Sequence, residues 1–470
     1  MIFSSIFFLF IFLPVTLILY YTVPWKLKNA VLLLLSLVFY AWGEPVYVLL
    51  MLFSIIFNYF SGIEIDYYHK IRDFKSKKIS FWFTVVVNLG ILGFFKYYGF
   101  LISNLNAILP FDIPYNELAL PIGISFYTFQ TLSYIIDVYK GQVPVQRNFV
   151  AFGTYVTMFP QLIAGPIVRY SDVNEQLQSR TLSLYKFGEG VTWFIRGLGK
   201  KVLLANNIGM TYDAIAALAS DERSVLTAWI GAIAYAMQIY FDFGGYSDMA
   251  FGLGKMLGFE FVLNFDYPYI SKSVTEFWRR WHISLGTWFR EYVYIPLGGN
   301  RVSRGKHIRN ILVVWILTGF WHGAAWNFMF WGLYYGLWLL VEKYFLMPLL
   351  EKLPGFICQV YSFVVVVFGW MLFAAPTLKN AMIYIGNMFG IHGNGFVDST
   401  GLYYLAGNLM LLILCVLCAR PWLWKTYRKF ALKKGAVPVA GAFLIYTGIL
   451  FLSVAYLVNA TYNPFLYFRF

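Results

Sequence analysis

The run NILVVWILTGFWHGAAWNFMFWGLYYGLWLLVEK, residues 310–343, decides the architecture. As a single helix it would be roughly 50 Å long at ~1.5 Å per residue, against ~30 Å of hydrocarbon in a bilayer. One crossing would also spoil the alternation of loops further along the chain. Breaking the run at Trp321-His322-Gly323 removes both difficulties and leaves two arms. His322 then lies near the break, on the order of 20 Å into the bilayer from the basic loop that ends at Arg309 if the arm is helical.

Composition agrees with a membrane setting. The chain is 60% hydrophobic, 21% aromatic and only 12% charged, with a mean hydropathy of +0.64, far from a soluble composition. Apolar runs of spanning length recur from SSIFFLFIFLPVTLILYY near the start to GAFLIYTGILFLSVAYLV near the end. The first run lacks a basic leader and a small-residue cleavage site, so it is expected to stay as a helix. The fold class is therefore all-α, a polytopic membrane helix bundle with broken or re-entrant helices.

A net charge of +14 would suggest nucleic acid in a soluble protein. Here the basic residues sit in short loops at 25–29, 69–78, 301–309 and 420–434, and the cytosolic orientation rule accounts for them. No nucleic-acid partner is implied. The first crossing ends at the first of these loops, two segments at about 30–42 and 46–62 turn at Trp42-Gly43-Glu44-Pro45, and a fourth helix covers about 81–103. That parity places the N-terminus outside. Residues 182–207 read as a helix near the cytosolic surface, with Lys200 and Lys201 at its basic end. The chain reads as one membrane-embedded domain, 1–470, with N-terminal helices at 1–103, a core at 120–345 and C-terminal helices at 356–470.

The core carries the chemistry-bearing residues. Polar residues at 120–170, Gln130 and Gln161 among them, interrupt apolar segments, and irregular backbone at membrane depth survives only where protein or a water-filled cavity covers it. His69, His307 and His392 lie in basic or glycine-rich loops and read as solvated. His282 and His322 differ, because apolar and tryptophan residues surround them. An ionisable side chain at membrane depth usually faces a pathway or cavity, though a neutral imidazole bonded within a bundle is the alternative. Imidazole suits general-base work because its ordinary pKa lies near neutrality.

The stretch TEFWRRWHISLGTWFREYVYIPLGGNR, residues 275–301, begins after Ser273, which with Glu276 fits a capping box. The helix it starts would carry Trp278, Trp281, His282, Leu285 and Phe289 on one side, with Arg279, Arg280 and Arg290 elsewhere around it. Arginines here either snorkel to lipid phosphates or recognise a phosphate-bearing donor or an acidic carrier. Arg301, Arg304 and Lys306 in the following loop are candidates for the same docking role. Asp242 and Asp248 flank the Gly244-Gly245 pair, which suggests a broken or closely packed helix. Either carboxylate could orient a histidine or cap the break. Cys415 and Cys418 form a C-x-x-C inside an apolar helix and read as packing, so no metal site is expected. G-x-S-x-G is absent, which argues against a serine hydrolase.

The blocks FWRRWHISLGTWFREYVYIPLGGNR (277–301) and TGFWHGAAWNFMFWG (318–332) resemble the membrane-bound O-acyltransferase (MBOAT) family, specifically its bacterial alginate O-acetylation branch. LPIGISFYTFQTLSYIIDVYKG, FPQLIAGPIVRY, YFDFGGYSDMAFGLGKMLGF and the closing NPFLYFRF resemble that branch too. The resemblance implies a helix bundle around a central tunnel in a bacterial cell membrane. It implies transfer of an acyl group from a cytosolic thioester to a hydroxyl at or beyond the outer face, with a separate extracytoplasmic acetyltransferase as partner. His322 matches the family's catalytic position and His282 its second important position. Gln130, Trp281 and Trp321, beside Arg279, Arg280, Arg290, Asp242 and Asp248, become candidate substrate contacts.

The expected activity is O-acetylation of an exported cell-surface polysaccharide, with acetyl-coenzyme A or another acyl thioester as donor substrate and no bound cofactor. D-alanyl transfer from a carrier protein to teichoic acid is the alternative within the family. A transporter, flippase or scaffold without chemistry is the alternative of another class.

Overall fold

The computed structural model describes residues 1–163, 165–391, 395–431, 433, 435–459 and 462–466. Among these residues the secondary structure is helical, without a strand. Among the described residues six helices are long and apolar enough to cross a membrane: Val48–Lys70, Phe74–Asn106, Val225–Met256, Gly355–Ala374, Ser399–Cys418 and Ala436–Asn459. The chain divides into two compact units, residues 1–194 with 249–262, and residues 195–248 with 263–470.

The first unit contains α1 (Phe8–Thr22), α2 (Lys28–Ala41), α3 (Val48–Lys70), α4 (Phe74–Asn106) and α5 (Ile124–Lys140). Helices α3 and α4 run further than their apolar stretches predict; in the added turns the Ser80 hydroxyl donates to Glu64 at 2.9 Å, and Asp73 caps α4 by accepting the Ser76 N–H at 3.0 Å. Asn58 of α3 and Asn88 of α4 exchange amide hydrogen bonds at 3.0 and 2.9 Å, and the Thr131 hydroxyl of α5 donates to the Asn88 side-chain oxygen at 3.4 Å. Lipid tails are as apolar as leucine, so such polar seams and close contacts, rather than hydrophobicity, decide which helices pair.

The second unit holds both central histidines. Helix α6 (Val225–Met256), whose residues 225–248 belong here, runs unbroken through Gly244-Gly245. The glycines serve close packing instead of a break: a Cβ on Gly245 would lie 2.7 Å from the Gly197 carbonyl oxygen. The helix approached in this way continues after Gly199 as a π-helical turn, Lys200–Ala205, whose Lys201 N would lie 3.0 Å from the same Cβ. Its lysines do not form the basic surface end that the sequence suggests. Lys201 is 2% exposed and pairs with Asp242 at 2.5 Å, and Lys200 pairs with Asp248 at 2.7 Å. Two carboxylates on α6 at this short range turn both ammonium groups inward.

The expected single helix after Ser273 is two. α7 spans Val274–Arg280 and α8 spans Ile283–Phe289, with a turn at Trp281-His282 between them. Ser273 caps α7 by accepting the Glu276 N–H at 3.0 Å, whereas Glu276 reaches back to the Lys272 N–H at 2.9 Å. A second carboxylate completes the cap. Buried Glu342 accepts the Val274 and Thr275 N–H groups at 2.6 and 2.8 Å, the Thr275 hydroxyl at 2.6 Å and the Tyr361 hydroxyl at 3.1 Å. Its charge faces the positive end of the helix dipole.

The run 310–343 breaks where its length predicts. α9 spans Arg304–His322, Gly323 is extended with φ −165°, and α10 begins at Trp326 and ends at Val341. The two arms cross at Gly319 and Gly332, whose Cα atoms approach so closely that a Cβ on either would run into backbone of the opposite arm. Against this hairpin pack α11 (Gly355–Ala374) and Trp278 of α7, and Trp281 in the turn after α7 packs on α11. Trp278 meets Trp315 and Tyr335 with ring centroids 4.7 Å apart, and Trp281 meets Trp370 at 4.7 Å. The unit closes with α12 (Ser399–Cys418), which holds Cys415 and Cys418, then α13 (Pro421–Ala431) and α14 (Ala436–Asn459).

Candidate active site

His282 sits in the turn between α7 and α8 with φ +46°, a left-handed conformation that costs a non-glycine residue energy and often marks a functional position. A loop holds it there. The Ile283 N–H donates to the Asn264 carbonyl at 3.0 Å. The Asn264 side-chain oxygen accepts both the Ser284 N–H, at 3.1 Å, and the Ser284 hydroxyl, at 2.9 Å. That oxygen also lies 3.2 Å from His282 Nδ1. Because a backbone N–H already identifies this atom as the acceptor, Nδ1 must carry the proton. In the neutral ring Nε2 then bears a lone pair, and it is buried with no hydrogen-bond partner. Replacing Asn264 with alanine releases the ring and is expected to lower activity per membrane-inserted molecule about 10²-fold. Asn264→Asp, which keeps an oxygen acceptor, should retain more activity than Asn264→Ala; equal losses in the two would remove the tautomer role.

His322 is the last residue of α9, where the helix stops and Gly323 lets the backbone leave. Its ring is packed edge to face against Trp321, Trp331 and Phe373, with centroids 5.0, 5.1 and 5.3 Å away. Trp321 also approaches His282 at 6.1 Å, so its indole lies against both imidazoles. Phe243 of α6 contacts His282 at 4.8 Å and lines the crevice at His322.

Three cavities share walls around these residues. A basic one of about 720 Å³ is lined by Arg279, Arg290, Arg301 and Lys343 with the Gly298-Gly299 turn. It shares Arg279, Arg290 and Tyr294 with an aromatic chamber of about 630 Å³ that reaches His282. That chamber shares Trp281 with a crevice of about 20 Å³ at His322, bounded also by Asp242, Trp331, Phe373 and Leu466. The two larger spaces fall within the range of small-molecule sites. The smallest has room for about one water molecule.

The structure thus gathers Arg279, Arg290, Arg301, Trp281, Trp321, Asp242, His282 and His322 around connected walls. Other candidates lie apart. Arg280 pairs with Asp266 and Glu276, both at 2.9 Å. Asp248 is engaged by Lys200. Arg304 stacks on Tyr344 at 4.5 Å, and Lys306 is exposed without lining any of these cavities. Gln130 belongs to the first unit, fully buried in α5. His307 is not solvated, as its loop suggests, but buried in the first turn of α9. Hydroxyls of Tyr344 and Tyr294 lie 2.8 and 3.1 Å from its ring nitrogens, and the Lys343 ammonium lies 3.0 Å away. His69 is exposed beside Lys77 at 3.3 Å, and His392 lies outside the described residues. Asn264 and Leu466 were not singled out by sequence reasoning, and Lys201 was read only as part of a basic surface end. Glu342 was also missed, although a lone acid closing an apolar run, LWLLVEK, is a signal for a buried partner.

An all-helical, multi-pass membrane protein with two buried histidines and a basic cavity leading toward them is the class defined so far. The profile of the membrane-bound O-acyltransferase family matches residues 143–385, which include both histidines. A probable alginate O-acetylase AlgI of Azotobacter vinelandii is 45% identical over 397 residues, covering 83% of this chain and 78% of that protein. A peptidoglycan O-acetyltransferase of Helicobacter pylori is 34% identical over 428 residues, covering 84% and 80%. A teichoic acid D-alanyltransferase of Streptococcus thermophilus is 30% identical over 236 residues, covering 47% and 56%. The chain belongs to the membrane-bound O-acyltransferase family. It is a multi-pass membrane acyltransferase.

Proposed function

We propose that the protein moves an acetyl group from a cytosolic thioester, acetyl-coenzyme A or a related donor, across the membrane for O-acetylation of an exported cell-surface polysaccharide. An extracytoplasmic acetyltransferase would work beside it. The observation that carries the reading is the graded series of cavities, basic, then aromatic, then histidine-lined, in a chain whose broadly covering relatives are named O-acetylases. D-alanyl transfer is less well supported, because the relative bearing that name covers about half of this chain.

The chemistry follows from the donor and acceptor classes. A hydroxyl oxygen attacks the thioester carbonyl carbon, a C–O bond forms, the C–S bond breaks, and the hydroxyl proton passes through a base to the departing thiolate. His322, beside the small crevice, is the assigned general base, a contribution of about 10²–10⁴ in rate. Stabilising an oxyanion from His282 would need an Nε2–H, which the tautomer set by Asn264 does not carry. His282 instead offers an acceptor, suited to holding a hydroxyl of the acceptor or donor. Tight aromatic walls keep water from the thioester.

The phosphates of a coenzyme donor match the arginines at the wide mouth. Replacing Arg290 and Arg301 together with glutamine is expected to raise the donor KM about tenfold while leaving kcat little changed. Unaltered KM at normal insertion would reduce those residues to orientation signals. The reading as a whole is tested with inside-out membrane vesicles given labelled acetyl-coenzyme A outside and the acceptor polysaccharide inside. Ester label on the polysaccharide that requires His322 supports it; label only from a D-alanyl carrier protein, or from no thioester, overturns it.

A further inference from the structure

The C-terminal residues Tyr462–Leu466 form a strap fastened at each step to the second unit. The Tyr462 hydroxyl donates to Asp213 at 2.6 Å, and the Asn206 amide donates to the Asn463 side chain at 3.1 Å. The Pro464 carbonyl accepts from the Lys201 ammonium. Phe465 stacks on Tyr246 at 4.7 Å, and the Leu466 N–H donates to Asp242 at 2.8 Å. Lys201 is the keystone. Its three N–H donors meet three acceptors: Asp242, the Asn206 side-chain oxygen at 2.9 Å and Pro464. A buried ion pair is poor value as stabilisation alone, since desolvation offsets much of the attraction. Here it fixes a strand of backbone in place.

What that backbone carries is a wall. Leu466 is 4% exposed and lines the crevice together with His322, Trp281, Trp331 and Phe373. The space there, about 20 Å³, has room for about one water molecule, so a small group such as a methyl fits it best.

We propose that the strap is the end stop of the acyl pocket, with Leu466 as the residue that limits the transferred group to two carbons. Lys201 and Asp242 are positioning residues that hold this stop. The proposal rests on the acyl-transfer reading of His322. It moves Asp242 from a candidate substrate contact to an anchor, because its oxygens already serve Lys201 and the Leu466 N–H.

The test uses the full-length protein in the same inside-out vesicles, supplied separately with acetyl-, propionyl- and butyryl-coenzyme A. Ester formation on the enclosed polysaccharide is read as a ratio of propionyl to acetyl. One methylene in an apolar pocket discriminates by about 10–200-fold. Leu466→Ala is therefore expected to raise the ratio at least about tenfold. Leu466→Val, a milder change less exposed to folding loss, should move it the same way by a smaller factor, and Asp242→Asn should raise it by loosening the strap. A ratio unchanged in Leu466→Ala and Leu466→Val, with His322-dependent acetyl transfer still present, overturns the stop and leaves the transferase reading intact. Wild-type vesicles that form no His322-dependent ester from any of the three donors overturn both.

Discussion

Replacing His322 with alanine is expected to remove nearly all acetyl esters from the cell's exported polysaccharide, a drop of about 10²–10⁴-fold in transfer rate, while the protein stays in the membrane at normal abundance. The second half of that expectation comes from the packing. His322 ends its helix, so alanine there removes no intrahelical backbone bond, and its ring lies against neighbours that touch one another. Trp331 and Phe373 are 5.2 Å apart. His282→Ala is expected to differ in kind, because the lost ring had stabilised a strained turn, and partial activity with reduced abundance is the anticipated pattern. Ester content by mass spectrometry, normalised to membrane protein by immunoblot, separates the two. Full ester content in His322→Ala would end the general-base assignment and bring a scaffold or transporter forward.

Gly332→Ala is expected to cost far more than the same change at a helix glycine with open space around it. A Cβ at this position would drive into the Trp315 carbonyl, and the same is true of Gly319 against Phe328. Backbone cannot yield as a side chain can, so the arms of the hairpin must separate. A loss of about 3 kcal/mol is expected, with sharply lower thermal stability in detergent. Gly90→Ala is the control: nothing lies within 4 Å of its added carbon, and helix propensity alone should stabilise it by up to about 1 kcal/mol. Equal behaviour of the two variants would mean that α9 and α10 do not cross closely.

The break at Trp321-His322-Gly323 was legible because length is a hard constraint: a helix cannot be much longer than the slab it crosses unless it leaves it. The cap at Ser273 was legible because it is local. Residues paired over long sequence distances were not. Lys201 reads as a surface lysine until Asp242 and Pro464 are placed beside it, and Asn264 has no reason to stand out until Ser284 and His282 fold onto its side chain. The helix after Ser273 misled for a related reason. Periodicity places His282 on a helical face, but hydrogen bonds from a loop 18 residues upstream outweigh the cost of a left-handed turn.

The two histidines are also mechanically joined. From His322 the chain turns at Gly323, runs the length of α10 and arrives at Glu342, whose carboxylate grips the start of α7; α7 then leads through Trp281 to His282. This circuit is a closed truss with a covalent bar, a hydrogen-bonded pin and a tryptophan cross-brace between its ends. A truss of this kind does not open by swinging one corner. If the proposed function holds, the imidazoles are expected to keep their spacing as substrates come and go, and widening for a bulky donor is expected at the arginine-lined rim, away from a pair of rings held as in a jig.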